Sequence, residues 1–220
     1  MKSKARHKAA LAPHWWTGSG MPLPASDGSP FIIAVPTPHT NQRSQARELV
    51  RSALRESLGR LLGCGPETVP LDIEPGQAPR LTLPVSSPPS AHLSISHEAG
   101  LSLAAIRVGG LIGIDLMALD YADLPDREAL ARDYLGPQAL AALQATAAPQ
   151  RQAAFARAWT AHEACLKCLG LPLQEWSPDL ARRIARCRII ELALPADYVG
   201  AAALDIPTMA VSPSHHHPAP

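Results

Sequence analysis

Three apolar, β-prone segments stand almost end to end between positions 91 and 117, and they constrain the fold more than any other stretch. Positions 91–96 alternate, with Leu93 and Ile95 on one side and Ser94 and Ser96 on the other. That is the period of a strand with one buried face. Glu98-Ala99-Gly100 has the composition of a turn, positions 101–108 run back, Gly109-Gly110 is a second turn, and positions 111–117 form the third segment. Short Gly-containing turns join antiparallel neighbours. The stretch is therefore read as a three-stranded meander that delivers Asp115 to a strand end.

Helical patterns flank it. Positions 41–62 place Leu49, Val50, Ala53, Leu54, Leu58, Leu61 and Leu62 at helical spacing, and Gly63 and Gly65 stop the run. The opposite side carries Arg43, Arg47, Arg51 and Arg55, which reads either as solvated surface or, at Arg47, as a phosphate contact. Helices are expected over 126–135, over 137–147 with Pro137 in the first turn, and over 150–169, ended by Gly170. A short strand is expected at 31–35 and a closing hairpin at 187–194 and 198–206. The succession of helix, three strands, helices and two strands predicts an α+β fold with helices packed on antiparallel sheet. Residues 1–30, rich in Pro, Gly, Ser and basic side chains, and the tail 207–220 with His215, His216 and His217, are expected to be disordered.

Composition narrows the class of function. The 220 residues are 46% hydrophobic but only 4% aromatic, so the core must be built from Leu, Ile, Val and Ala. The net charge of +1 gives no basis for bulk nucleic-acid binding. Residues 1–60 hold nine Lys and Arg against Asp27, Glu48 and Glu56, so the remainder is net acidic. No stretch reaches the roughly 18 apolar residues of a membrane span. The N-terminus lacks an apolar stretch of signal-peptide length, and the four cysteines, Cys64, Cys165, Cys168 and Cys187, are expected to be reduced. A cytoplasmic protein without nucleic-acid or membrane partners is the expectation. Cys165 and Cys168 lie inside a helical pattern with no second Cys or His pair, so packing is expected of them rather than zinc or redox chemistry.

The chemistry-bearing residues sit in two segments, Leu111-Ile112-Gly113-Ile114-Asp115 and Trp159-Thr160-Ala161-His162-Glu163-Ala164-Cys165-Leu166-Lys167. Glu163 and Lys167, four apart on a helix, point to one side. Two carboxylates that meet beside a lysine can hold a divalent cation and a phosphate, and Mg²⁺ takes one or two carboxylates while leaving other positions to water and substrate phosphates. The bland alternatives are a turn-capping Asp115 and a surface Glu163–Lys167 pair worth about 0.3–0.5 kcal/mol.

These segments resemble the signature of the 4′-phosphopantetheinyl transferase superfamily, in the single-chain branch typified by the surfactin-synthetase activator. Leu93-Ser94-Ile95-Ser96-His97 is similar to the element that precedes the magnesium strand there, and Gly76-Gln77-Ala78-Pro79-Arg80-Leu81 to an element near the adenine. The resemblance implies two similar α/β halves about a pseudo-twofold, residues 31–108 and 109–206, with the active site between them. It implies a monomeric, Mg²⁺-dependent transferase of the holo-[acyl-carrier-protein] synthase type. Such an enzyme moves 4′-phosphopantetheine from coenzyme A to a serine of an apo carrier protein and releases adenosine 3′,5′-bisphosphate. The carrier could be of acyl, polyketide, peptidyl or aryl-polyene/pigment type. Asp115 and Glu163 would hold the metal, and Glu163 and Lys167 would be catalytic. His97, Ser96, Arg80, Arg47, His162 and Lys167 would bind coenzyme A.

Departures from the family pattern leave a second reading, a degenerate relative that binds coenzyme A or a carrier without transfer. Met117 stands where a second strand glutamate is usual, and thioether sulfur is a poor partner for Mg²⁺. His162 and Ala78 replace lysines, and Ser94 and Glu98 replace Asn and Ser around His97.

Overall fold

The computed structural model describes residues 10–38, 43–74, 77–82, 90–119 and 126–206. Its strands are β1 (His14–Trp15), β2 (Phe31–Pro36), β3 (Leu71–Asp72), β4 (Arg80–Leu81), β5 (Ala91–Glu98), β6 (Leu101–Val108), β7 (Ile112–Ala118), β8 (Cys187–Glu191) and β9 (Tyr198–Asp205). Its α-helices are α1 (Arg43–Leu62), α2 (Arg127–Leu130), α3 (Pro137–Ala145), α4 (Ala148–Cys168) and α5 (Pro178–Ile184), with a π-helical turn over Ala131–Leu135. The fold is α+β, as the order of elements predicts.

One sheet has the order β1-β2-β6-β5 and a second the order β7-β9-β8, while β3 and β4 form a separate short ribbon. The predicted meander is therefore half right. β5 and β6 pair antiparallel from Ala91 opposite Val108 to Glu98 opposite Leu101. β7 leaves β6 at the Gly109-Gly110 turn and pairs with β9 instead, Asp115 lying opposite Ala201. A charged knot holds that turn open. Arg107 donates to the carbonyls of Gly28 and Leu111 and to Asp205 Oδ1, and Asp205 also accepts the Leu111 N–H. Arg107 thus ties the end of β6 to the end of β9, and β7 is fed toward β9.

The two sheets pack face to face, and each long helix covers an outer face. Ile32, Ala34, Leu103 and Ala105 of the first sheet meet Ile112, Ile114, Leu116, Ala202 and Leu204 of the second. Alternate residues point the other way. Ile33, Val35, Ala104 and Ile106 pack under Val50, Ala53, Leu54 and Leu58 of α1. Ala201 and Ala203 pack under Ala164, Cys165 and Cys168 of α4. Strands covered on both sides read as nearly unbroken apolar runs, which is what 101–106 and 111–116 show. No described helix is long and apolar enough to cross a membrane.

Residues 10–30, expected to be disordered, are instead laid across both sheets. β1 runs parallel to β2. Leu11 donates its N–H to the Glu191 carbonyl at 2.8 Å and accepts from Ala193 N at 2.9 Å, which ties the segment to the second sheet. Glu56 of α1 accepts from Trp16 Nε1, Gly20 N and Met21 N, and Met21 is buried in the first core. A polar composition predicts disorder only when no edge strand or buried anchor takes up the backbone groups; here β2 and Glu56 do so. The unpredicted helix α5 starts at Ser177, whose Oγ accepts from Leu180 N, with Pro178 behind it. The tail 207–220 lies outside the described residues.

Candidate functional site

The site forms where β5 of one sheet lies beside β7 of the other. No ladder joins these strands, and serine side chains take its place. Ser94 Oγ accepts the Ile114 N–H at 3.1 Å, and Ser96 Oγ accepts the Leu116 N–H at 3.2 Å. The polar face of the alternating strand therefore satisfies backbone donors that would otherwise be buried unpaired. Ser96 Oγ also donates to Asp115 Oδ1 at 2.9 Å, and Asp115 is only 8% exposed.

The face of β7 that carries Gly113 and Asp115 receives α4. A Cβ on Gly113 would stand 2.0 Å from the Ala164 carbonyl oxygen and 2.3 Å from the Cys168 nitrogen. Only glycine permits that approach, since real Cβ atoms do not come so near to backbone. The close packing brings Lys167 to Asp115, Nζ to Oδ1 at 2.6 Å. Glu163, one turn earlier on α4, is half-buried. Burial first, and then the negative charge of Asp115, push the Glu163 carboxyl above its usual range, while Lys167 opposes them. A carboxylate whose ionisation is opposed by burial and by the neighbouring Asp115, with Lys167 between strand and helix, makes an oxygen-lined cation site.

Asp115, Glu163 and Lys167 open onto a cleft of about 510 Å³, together with Ser96, His97, Arg47, Met117 and Trp159. A second cavity of about 530 Å³ continues from it, sharing Arg47, Ile95, His97 and Lys167, and reaches Arg80 and Arg51. His97 Nδ1 lies 2.7 Å from Ser102 Oγ, which fixes the ring. The continuous groove thus has carboxylates and a lysine on one wall and arginines and a histidine along the other.

Of the residues predicted for the site, Asp115, Glu163, Lys167, Ser96, His97 and Arg47 line the first cavity, and Arg80 the second. His162 is not brought there. It is buried, lines neither cavity, and its Nε2 has no hydrogen-bond partner among the described residues. Burial lowers its pKa. The neighbour of Glu163 along a helix is turned about 100° away, so adjacency in sequence does not place both in one cleft. Met117 lines the cleft and packs with Phe155 and Trp159. Trp159 is half-buried, with its ring on Phe155 and Tyr134 and one side on the cleft. Sequence reasoning missed Gly113 as the determinant of the helix–strand approach, and Glu98, which lines the cleft at the end of β5. The signal for Gly113 was a glycine inside an apolar strand.

The residues present fit a hard divalent cation. The donors at the cleft floor are carboxylate and hydroxyl oxygens, and the mutual repulsion of Asp115 and Glu163 is what a cation relieves. Among the described residues no group of three or more His, Cys, Asp or Glu side chains is arranged to hold a metal. A two-carboxylate site that leaves positions for water and phosphate oxygen suits Mg²⁺ better than a closed transition-metal cage.

Residues 111–201 match the model of the 4′-phosphopantetheinyl transferase superfamily. Over 120 residues the chain is 34% identical to the 4′-phosphopantetheinyl transferase HetI of Nostoc sp. (strain PCC 7120), a stretch that is 54% of this chain. The chain spans about half the length of that relative, 49%. The matched region holds β7, α4, β8 and the first half of β9, and with them Asp115, Glu163 and Lys167.

Proposed function

We propose, for a chain whose residues 111–201 match the 4′-phosphopantetheinyl transferase superfamily, that it transfers 4′-phosphopantetheine from coenzyme A to a serine of an apo carrier protein. The observation that carries the reading is the floor of the cleft: Asp115 held by Ser96 and Lys167, with Glu163 beside it. The serine oxygen attacks the phosphorus that bears the pantetheine arm. The bond to the bridging oxygen breaks, and adenosine 3′,5′-bisphosphate leaves with that oxygen. Glu163 accepts the serine proton; its raised pKa makes it the stronger base once ionised. Lys167 places positive charge where the departing phosphate gains negative charge. A divalent cation between Asp115 and Glu163 would neutralise pyrophosphate charge and polarise the reacting phosphoryl group. Arg47, His97 and Arg80 line the groove from the other wall and meet the remaining phosphates of coenzyme A.

Met117 favours a second reading, a relative that binds coenzyme A or a carrier without transfer, because it sets an apolar side chain against Phe155 and Trp159 where a third carboxylate is usual. One experiment separates the two. The protein is incubated with coenzyme A, Mg²⁺ and a panel of apo acyl and peptidyl carrier proteins, and the carrier mass is measured. A gain of one phosphopantetheine group on the carrier serine is expected. Coenzyme A binding by calorimetry with no mass gain on any carrier would replace the first reading by the second.

A further inference from the structure

The thiols of this chain are gathered in a way its proposed chemistry does not use. Cys165 and Cys168 lie at i and i+3 on α4, both buried, on the face that packs against the second sheet. Cys187 opens β8, is half-buried, and joins the same apolar cluster. Cys187 thus packs against the cluster that Cys165 and Cys168 form with Ala164, Ala201 and Ala203. Cys64, after the end of α1, is exposed and stands apart. Three thiols from two elements converge while none is bonded to another, and the described residues hold no metal cluster of three such ligands.

We propose that Cys187 and the α4 thiols form a redox-modification site, in which hydrogen peroxide oxidises Cys187 and Cys168 or Cys165 closes an intramolecular disulfide. The Cys187 thiolate attacks one peroxide oxygen to give a sulfenic acid and hydroxide. The second thiol then attacks the sulfenic sulfur and expels water. Two thiols lose two electrons and the peroxide is reduced to water. Cys187 is the attacking group. It is the one member of the three with solvent access, and the S–H groups of Cys165 and then Cys168 stabilise its thiolate, holding it well below the usual thiol range against burial and the charge of Asp205. The two α4 thiols, buried where Cys187 is not, are the resolving partners.

The site has a route to the cleft. Cys168 follows Lys167, and its backbone nitrogen is part of the tight contact over Gly113. A disulfide requires the sulfurs to close to about 2.05 Å. It therefore draws the last turn of α4 toward β8, and Lys167 away from its 2.6 Å contact with Asp115. Misplacement of about 1 Å at a reacting centre is enough to lose roughly a hundredfold in rate.

The test uses the full chain with Cys64→Ser, reduced and then titrated with hydrogen peroxide. Peptide mapping without reductant should show a link from Cys187 to the α4 peptide, a mass loss of two hydrogens, and recovery of both thiols with dithiothreitol. Adding Cys187→Ser should abolish the link. Should that variant fold poorly, differential alkylation of the Cys64→Ser protein gives the same information: Cys187 should be alkylated first when reduced and protected when oxidised. Oxidation that ends in sulfinic acid or in a dimer, with the α4 thiols still free, overturns the proposal. These readouts do not depend on the proposed transferase reading, so either can fail alone. Resting on that reading, carrier loading should fall roughly tenfold or more on oxidation and return on reduction. An unchanged rate with the link in place overturns the coupling to the cleft.

Discussion

The sheet that contains β2, β5 and β6 and the sheet that contains β7, β8 and β9 are packed alike and furnished oppositely. Each buries one face against the other sheet and one under a long helix. The first, with α1 and the β3–β4 ribbon beside it, offers the cleft cationic groups that reach in from the surface: Arg47 of α1, Arg80 of β4 and His97 of β5 are all exposed. The second offers fixed ones: Asp115 is buried, Glu163 and Lys167 are half-buried, and their distances are set by how α4 meets β7. Phosphate charge can be met by surface side chains, since guanidinium groups keep their charge and need only arrive. A carboxylate pair must be held in place by packing. One wall should therefore tolerate substitution with a graded loss, while the other should fail steeply.

The steepest test is Asp115→Asn, which keeps the shape and the Ser96 contact but removes the charge shared with Lys167 and Glu163. Transfer should fall by about 10²-fold or more with the fold intact by circular dichroism; a near-normal rate would erase the contrast between the walls. Gly113→Ala comes next. The added methyl must push α4 off β7, so stability should drop by about 1–3 kcal/mol in urea unfolding, and activity should fall further than the unfolded fraction explains. On the other wall, Arg47→Ala or Arg80→Ala should raise KM for coenzyme A by roughly tenfold, about the worth of one charge-assisted hydrogen bond, with kcat little changed. The effect should shrink at high salt. A collapse of kcat with either arginine variant would show that this wall, too, is set by packing.

The smallest effect lies away from the cleft. Burial raises the Glu56 carboxyl, but hydrogen bonds from Met21, Trp16 and Gly20 and the charge of Arg60 outweigh it, so its folded pKa lies below the ordinary 4.5. Stability from a depressed carboxylate is present above that ordinary value and is lost as pH falls through the folded one. Glu56→Gln should therefore cost about 0.5–1.5 kcal/mol near neutral pH, and the cost should vanish in acid. A difference that persists in acid, measured by thermal melts across the pH range, would assign it to geometry rather than charge.

Much of the second wall is legible in the amino-acid sequence. The strand that carries Asp115 and the helix spacing of Glu163 and Lys167 follow from local periodicity, and local periodicity is what sequence carries best; the expected strand end does not hold, since Asp115 lies in the middle of Ile112–Ala118, whose ladder with β9 runs on past it. Strand partnership is not local. Gly109-Gly110 reads as a hairpin, but its Arg107–Asp205 knot depends on a residue at the far end of β9, which no window around the turn contains. His162 escapes the motif for a related reason: a motif gives order along the chain, and burial decides which side of the helix faces the cleft. The N-terminal segment reads as disordered because composition does not reveal that Trp16 and Met21 have receptors on α1.

The pairing of β7 with β9, rather than with β6, also sets the order in which the chain can be completed. During synthesis from the N-terminus, α1 and strands β2, β5 and β6 can assemble among themselves, because their partners are already made. β7 and its aspartate then wait with an unpaired edge until Tyr198–Asp205 emerges, a contact of high sequence separation that forms slowly. Leu11, which docks on the strand pair completed last, cannot close its strap before then. The chain thus acquires its reactive wall at the end of folding, and interruption before β9 leaves an apolar strand exposed, a state in which edge pairing between unfinished chains competes with the native route.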